Sequence, residues 1–367
     1  MTAPARTVAP RHAVFHRLRV AAVDRLTDDA VAVTFDVPSA LVEEYRFVQG
    51  QHVAVRLAAE PGDVRRNYSI CSSVASGRLR IGIRHIPGGV FSSYALTRLR
   101  PGDELEVMTP VGRFHTPLDP GQARRYAAVV AGSGITPVLS ILATTLETEP
   151  ASAFTLLYGN RSTASVMFLD ELADLKDRFP TRLVVHHVLS REPREPELFH
   201  GRLDGPRLAR FLDLLLPPGG VDEWFLCGPL PMVEQARATL RAFGVDPRHV
   251  HAELFHVGPA PAPPAPRAAE PAAGRAATVT VRLDGRSSTF PLPRDGESVL
   301  EAALRVRPDA PYACKGGVCG TCRARLVEGR VRMDRNYALE EAEREAGFVL
   351  ACQSHPDSDT VVLDFDA

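Results

Sequence analysis

The sequence has almost no net charge: 43 Lys plus Arg stand against 44 Asp plus Glu in 367 residues, a formal charge of −1. That balance argues against wholesale nucleic-acid binding and against a polybasic membrane surface. No apolar run approaches the roughly 18 residues that a membrane span needs. The first ten residues, Met1 to Pro10, hold Arg6 but no apolar core and no cleavage pattern, so no signal peptide is read. Internal repeats are absent. Cysteine is scarce and uneven: four of the six, Cys314, Cys319, Cys322 and Cys352, fall near the C-terminus, while Cys71 and Cys227 stand alone. A secreted disulfide framework is denser and sits on a smaller chain. The expectation is a metal or cluster site in a reducing, cytoplasmic compartment. The twelve histidines, including His186-His187 and His249-x-His251, show no ligand spacing and read as ordinary strand residues.

What is present falls into parts. The length suits two or three domains, and 45% apolar with 24% charged residues is ordinary for a globular chain. Positions 258–277 read GPAPAPPAPRAAEPAAGRAA, a Pro/Ala stretch without hydrophobic periodicity that predicts a semi-extended linker. Before residue 118 the pattern is short strands, such as Ala30 to Val37, His52 to Leu57 and Leu79 to His85. Turns punctuate them at Pro61-Gly62-Asp63, Pro87-Gly88-Gly89 and Pro101-Gly102-Asp103. This predicts a small β-barrel over 11–118. From 122 to 257, strands at Tyr126 to Ala131, Phe154 to Tyr158, Leu183 to Leu189 and Trp224 to Cys227 alternate with apolar helical stretches. They predict a doubly wound α/β domain. Residues 278–367 start with a hairpin turning at Asp284-Gly285, pass through a helix near Ser298 to Val306, and end on a strand from Thr360.

The cysteine spacing is Cys314-x4-Cys319-x2-Cys322-x29-Cys352. Three thiols in one loop plus a distant fourth is the plant-type [2Fe–2S] pattern. No continuous strand or helix points three ligands inward so closely, so the loop must coil around the cluster. Gly316, Gly317 and Gly320 are expected to supply the dihedrals this requires and to let backbone N–H groups reach sulfur. A structural zinc site is the competing reading, although zinc ribbons favour two separated C-x2-C pairs.

Other motifs suit a flavin and a dinucleotide. In Arg66-Asn67-Tyr68-Ser69-Ile70 the Arg suits a pyrophosphate, the Tyr a ring face and the Ser a hydrogen bond to flavin N5. Gly88-Gly89-Val90-Phe91-Ser92 offers backbone N–H groups and a hydroxyl to the same phosphates. Gly132-Ser133-Gly134-Ile135-Thr136-Pro137 follows a strand and opens a helix, bringing an anion to the helix N-terminus. Pro137 takes the place of the third glycine of the dinucleotide fingerprint. Asn160, Arg161 and Ser162 end the next strand where such folds read the ribose. An Arg there without an acid favours NADPH over NADH. Cys227-Gly228-Pro229 ends a later strand, again at a carboxyl edge. Each motif also has a local alternative: an exposed strand Tyr, a tight turn, a solvated Arg, a buried small thiol.

Together these residues resemble the ferredoxin–NADP reductase superfamily fused to a C-terminal plant-type ferredoxin, over nearly everything from residue 12. The resemblance implies a multidomain α+β fold of FAD-binding β-barrel, NAD(P)-binding domain and β-grasp [2Fe–2S] domain. It implies that Arg66, Tyr68, Ser69, Ile70, Gly88, Gly89, Val90 and Ser92 hold FAD. Gly132, Gly134, Thr136, Pro137, Asn160, Arg161, Ser162, Cys227, Gly228 and Pro229 would hold NADPH. Ser69 and Cys227 would be catalytic, beside flavin N5 and the nicotinamide. More narrowly, Tyr158-Gly159-Asn160-Arg161, Glu253-Leu254-Phe255 and the tract from Met333 to Pro356 are similar to reductase components of phenylacetyl-CoA epoxidases. Asn67 departs from the family, which more often has Cys there. The implied function is electron transfer from NADPH through FAD and [2Fe–2S] to the oxygenase component of a multicomponent monooxygenase. Reductases of 3-ketosteroid 9α-hydroxylases or other ring-hydroxylating oxygenases share the domain order, and a nucleotide-binding redox sensor without turnover is the reading from another class. Glu340, Glu341, Glu343 and Glu345 form an acidic tract that is either a docking face or a solvated helix face.

Overall fold

In the computed structural model, residues 14–57, 63–255 and 276–367 are described. They fall into two compact units, one within Phe15–Val257 and one within the C-terminal 258–367. Positions 258–275 of the expected linker lie outside the described residues.

The first unit opens with six antiparallel strands: β1 (Phe15–Thr27), β2 (Ala30–Asp36), β3 (His52–Leu57), β4 (Val64–Ser69), β5 (Leu79–Arg84) and, after helix α1 (Val90–Thr97), β6 (Glu104–Met108). Their order is β4-β3-β6-β1-β2-β5. A bridge between Ile70 and Ile81 joins the two outer strands and closes the sheet. Alternation does the work here: Leu18, Val20, Val31, Val33, Val53, Val55, Ile81 and Ile83 point inward and are buried.

The same unit continues with β7 (Arg125–Ala131), α2 (Ile135–Thr148), β8 (Ala153–Asn160), α3 (Leu169–Arg178), β9 (Leu183–Leu189), α4 (Gly205–Leu214), β10 (Glu223–Cys227), α5 (Leu230–Ala242) and β11 (Val250–Glu253). All pairings are parallel, in the order β11-β10-β7-β8-β9. The chain leaves β7 toward β8 on one side and later returns to β10 on the other, so a switch point lies at their carboxyl ends. Both sheet faces are covered. Strands therefore read as continuous apolar runs, and Phe154, Phe225 and Trp224 are fully buried. The helix α2 starts at Ile135 and carries Pro137 in its first turn, where proline is tolerated.

The second unit contains β12 (Ala277–Leu283), β13 (Arg286–Leu292), α6 (Val299–Val306), β14 (Arg323–Glu328), β15 (Val331–Met333), α7 (Glu341–Glu345), β16 (Phe348–Leu350), β17 (Ser354–Pro356) and β18 (Thr360–Asp364). A mixed sheet runs β13-β12-β18-β14-β16, with the terminal strand inserted parallel to β12. Val299, Leu300, Ala302 and Ala303 of α6 pack into the same buried cluster as that sheet, the β-grasp arrangement. Ser298 caps α6 by accepting from the Glu301 N–H at 3.3 Å. Ala277, expected to end the linker, is instead the first residue of β12, paired with Leu292. No helix among the described residues is long and apolar enough to cross a membrane.

Candidate functional site: a cysteine loop and a two-part nucleotide cleft

The cysteine loop runs irregularly from the end of α6 into β14, and Cys352 follows β16 in a short helical turn. The thiols meet in two pairs, Cys314 with Cys319 and Cys322 with Cys352. The Cys319 thiol, then the N–H groups of Gly316, Val318 and Cys319, hold the Cys314 thiol below its usual range against the effect of burial. Its partner Cys319 is pushed up by that shared bond and by burial. The Cys352 thiol is likewise lowered by its bond with Cys322 and by the Gln353 amide, whose Nε2 lies 3.4 Å from the sulfur. Among the described residues, no three or more His, Cys, Asp or Glu side chains converge closely enough to hold a single metal ion. A two-plus-two set suits two irons, each taking two protein thiolates, better than one tetrahedral zinc.

The loop's backbone differs from expectation at one glycine. Gly317 and Gly320 take positive φ, but Gly316 does not; Lys315 occupies that region instead, at φ 50°. Gly316 acts through its N–H, which donates to Cys314 Sγ at 3.3 Å. A side chain at Gly317 would press on Gln353 Cγ and the Arg335 carbonyl, at 3.1 and 3.2 Å. In the acidic tract, Glu340 and Glu343 cap α7 reciprocally, and Glu343 also holds Arg323 at 2.8 Å. The Arg323 guanidinium lies over the Phe348 ring.

In the barrel, β4 places Tyr68 against Phe91 of α1, with ring centres 5.4 Å apart. Burial pushes the Tyr68 phenol up despite Arg66. Arg66 is exposed and donates to the Arg65 carbonyl. Ile70 is buried at the closing bridge. Gly88, with φ 76°, and Gly89 lead into α1, and Val90 is exposed at its start. Ser92 is already engaged: its Oγ accepts from the Ile86 N–H at 3.1 Å and lies 3.3 Å from the Gly89 carbonyl. It staples the turn. The Ser69 hydroxyl donates to Glu253 Oε2 at 3.3 Å, and the buried His52 lies 3.7 Å from the same carboxylate. Glu253 ends β11, so the barrel and the parallel sheet meet at Ser69.

At the switch point, β7 runs into Gly132, with φ 55°, and then α2. Gly134 has no substitute: a Cβ there would stand 2.2 Å from the Cys227 carbonyl oxygen. Thr136 is buried, its hydroxyl 3.0 Å from the Ser133 carbonyl and its methyl toward Gly82 of the barrel. Pro137 is buried in the first turn. Cys227 is fully buried, and burial followed by Glu253 raises its thiol well above the usual range. Gly228 leaves room for Met232, and Pro229 precedes α5 as its cap. The Asn160 amide is buried at the end of β8 with neither polar atom in a full hydrogen bond, the Tyr158 hydroxyl nearby. Ser162 and Ser165 cap each other. Arg161 Nη2 is ion-paired with Asp29 of the barrel at 2.9 Å.

The fold thus gathers the glycine turn, Asn160, Arg161 and Cys227 along one sheet edge. It brings Ser69 to the same Glu253 carboxylate that acts on Cys227. Sequence reasoning assigned no chemistry to Glu253, Asp29 or Arg84. Each acts through a long-range partner, and no local motif announces that.

Three family descriptions match the chain in order: an oxidoreductase FAD-binding domain over residues 17–116, an oxidoreductase NAD-binding domain over 129–238, and a 2Fe-2S iron–sulfur cluster binding domain over 281–357. A component of the 1,2-phenylacetyl-CoA epoxidase of Escherichia coli K12 is 45% identical over 353 residues, 96% of this chain and 98% of that protein. The chain belongs to the family of FAD-, NAD- and 2Fe-2S-domain oxygenase reductases. The ferredoxin reductase component of the 3-ketosteroid-9-alpha-monooxygenase of Mycobacterium tuberculosis is 34% identical, over 95% of each chain. Phthalate dioxygenase reductase shares the fold, with TM-score 0.57 and 24% identity over 96% of this chain and 98% of that one. This reductase is therefore an NAD(P)H-dependent oxidoreductase carrying FAD and a [2Fe–2S] cluster. The orphaned Asn160 amide, the Gly134 close approach and the paired thiols fit those groups.

Proposed function

We propose that this reductase takes electrons from NADPH and delivers them to the oxygenase component of a cytoplasmic multicomponent monooxygenase, a phenylacetyl-CoA epoxidase. The supporting observation is the 45% identity to a phenylacetyl-CoA epoxidase component across 96% of the chain, against 34% for the ketosteroid-monooxygenase reductase. When bound, FAD would supply hydride acceptance from the nicotinamide with one-electron release, and a [2Fe–2S] cluster would supply one-electron carriage onward. Within 11–118, Arg66, Tyr68, Ser69, Ile70 and the turn Gly88, Gly89, Val90 hold FAD, with Ser92 keeping that turn in shape. Within 122–257, Gly132 and Gly134 admit the pyrophosphate to the start of α2, Asn160 binds with its amide, and Arg161 with Ser162 faces the ribose. Thr136, Pro137, Gly228 and Pro229 shape the nicotinamide side. Ser69 holds its proton toward Glu253, and Cys227 excludes water beside the same carboxylate. Cys314, Cys319, Cys322 and Cys352, within 278–367, ligate the irons. Residues 258–275 lie between the two units in the sequence.

Reconstitution with a purified phenylacetyl-CoA epoxidase oxygenase component tests this. NADPH consumption matched by epoxide is the expected result. NADPH oxidation without epoxide, together with turnover of a steroid hydroxylase, transfers the assignment to the ketosteroid system.

A further inference from the structure

Asp29 sits in the turn between β1 and β2, on the barrel side of the nucleotide cleft. Its carboxylate is held from three directions. The Thr27 hydroxyl donates to Oδ1 at 2.8 Å. Arg84, at the end of β5, reaches both oxygens at 3.2 Å through Nε. Arg161, at the end of β8, reaches Oδ2 at 2.9 Å through Nη2. Arg84 also donates to the Ser165 carbonyl at 2.8 Å, and its Nη1 lies beside Gly132, 3.1 Å from where a Cβ would stand. Two guanidinium groups from two domains thus share one carboxylate beside the glycine turn. Burial works against the charge of Asp29, but Arg84, Thr27 and Arg161 outweigh it and keep the group ionised.

We propose that Asp29 is a specificity-determining residue that competes with the 2′-phosphate of the nucleotide for Arg161. The inference rests on the reading of Arg161 as the group facing the ribose. A carboxylate 2.9 Å from that guanidinium occupies the position an incoming phosphate oxygen needs. Binding a 2′-phosphate requires breaking the Asp29 pair, or adding a second anion beside it. Binding a 2′-hydroxyl requires neither. Asp29 therefore narrows the advantage of NADPH over NADH, and Arg84 modulates it by drawing the carboxylate toward the barrel.

The test compares 2′,5′-ADP with 5′-ADP by calorimetry on the flavin-loaded protein, with KM for NADPH and NADH as a second readout. Asp29→Asn should raise the 2′,5′-ADP to 5′-ADP affinity ratio by about 3- to 5-fold, the scale of a half-exposed ion pair. Arg84→Gln leaves Arg161 as the one guanidinium on Asp29, beside the Thr27 hydroxyl, and should lower the same ratio; using the ratio cancels any shared effect on the pyrophosphate. In an Arg161→Gln background, Asp29→Asn should change nothing. If Arg161→Gln weakens 2′,5′-ADP while neither Asp29→Asn nor Arg84→Gln moves the ratio, the competition is overturned and the ribose reading stands. If Arg161→Gln leaves 2′,5′-ADP binding unchanged, both fall.

Discussion

The C-terminal unit and the reductase unit arrange the residues proposed for their cofactors in opposite ways. In the former, four thiols stand already paired, with backbone N–H groups and the Gln353 amide turned toward sulfur. In the latter, nearly every polar group assigned to a ligand is occupied by another protein group: Ser69 by Glu253, Ser92 by its turn, Ser162 by Ser165, Arg161 by Asp29. Metal coordination demands particular atoms at fixed spacing. A dinucleotide asks mainly for backbone shape and exchangeable hydrogen bonds, which neighbouring side chains can equally supply.

The sharpest way to break this contrast is at the cysteines. Replacing any one of Cys314, Cys319, Cys322 or Cys352 by Ala should abolish the cluster absorbance and delivery to the acceptor. Reduction of bound flavin by NAD(P)H should continue, as stopped-flow absorbance would record. If flavin reduction also stops, the two sites are not separable.

The reductase unit should be most sensitive where shape leaves no slack. Gly134→Ala puts a methyl 2.2 Å from the Cys227 carbonyl, which is backbone and does not swing aside. A loss of about 1–3 kcal/mol is expected from overpacking, with weakened nucleotide binding, measured by denaturant unfolding and 5′-ADP calorimetry. Gly88→Ala, where a Cβ meets nothing within 4 Å, provides the milder control: only its φ of 76° resists.

Acid should reveal a further difference. Glu223 opens β10, buried between His251 at 2.8 Å and His249 at 3.2 Å. Burial raises its pKa, but the two imidazoles outweigh burial and the net direction is down. The folded state therefore binds its proton less readily than the unfolded chain. The stabilisation is complete above the ordinary carboxylate range, near about pH 4.3, and is lost as pH falls through the lowered folded value. Unfolding midpoints measured from pH 7 to pH 3 should fall less steeply for Glu223→Gln than for the natural residue. The smallest effect is expected at Ser92→Ala, which frees the Ile86 N–H and should cost about 0.5–1.5 kcal/mol, with turnover changed chiefly through FAD affinity. Both quantities follow from thermal unfolding and flavin release.

The same contrast explains what was legible in the sequence. Strands β2, β3, β5 and β7 to β10 could be read from alternation and apolar runs, while β1, β6 and β11 were not; the cysteine spacing pointed to a cluster-binding domain, and the 2Fe-2S domain match over 281–357 spans all four cysteines. The glycine turn after β7 was visible because Gly134 must be glycine. Glu253, Asp29 and Arg84 were not: each draws its meaning from a residue 55 to 184 positions away, and nothing in the neighbouring sequence encodes such a partner. Gly316 illustrates the reverse error. A glycine suggested an unusual backbone, yet Lys315 carries the positive φ, its ammonium held by Glu301 at 2.9 Å.

Trp224 is the sole tryptophan of the chain, wholly enclosed on β10 beside Glu223. The protein thus carries a single indole, lodged in one of its two units. Its emission follows solvent entry into the parallel sheet, while the visible absorbance of the cysteine-bearing unit reports cluster loss. Two colours read on one sample can time the failure of each half.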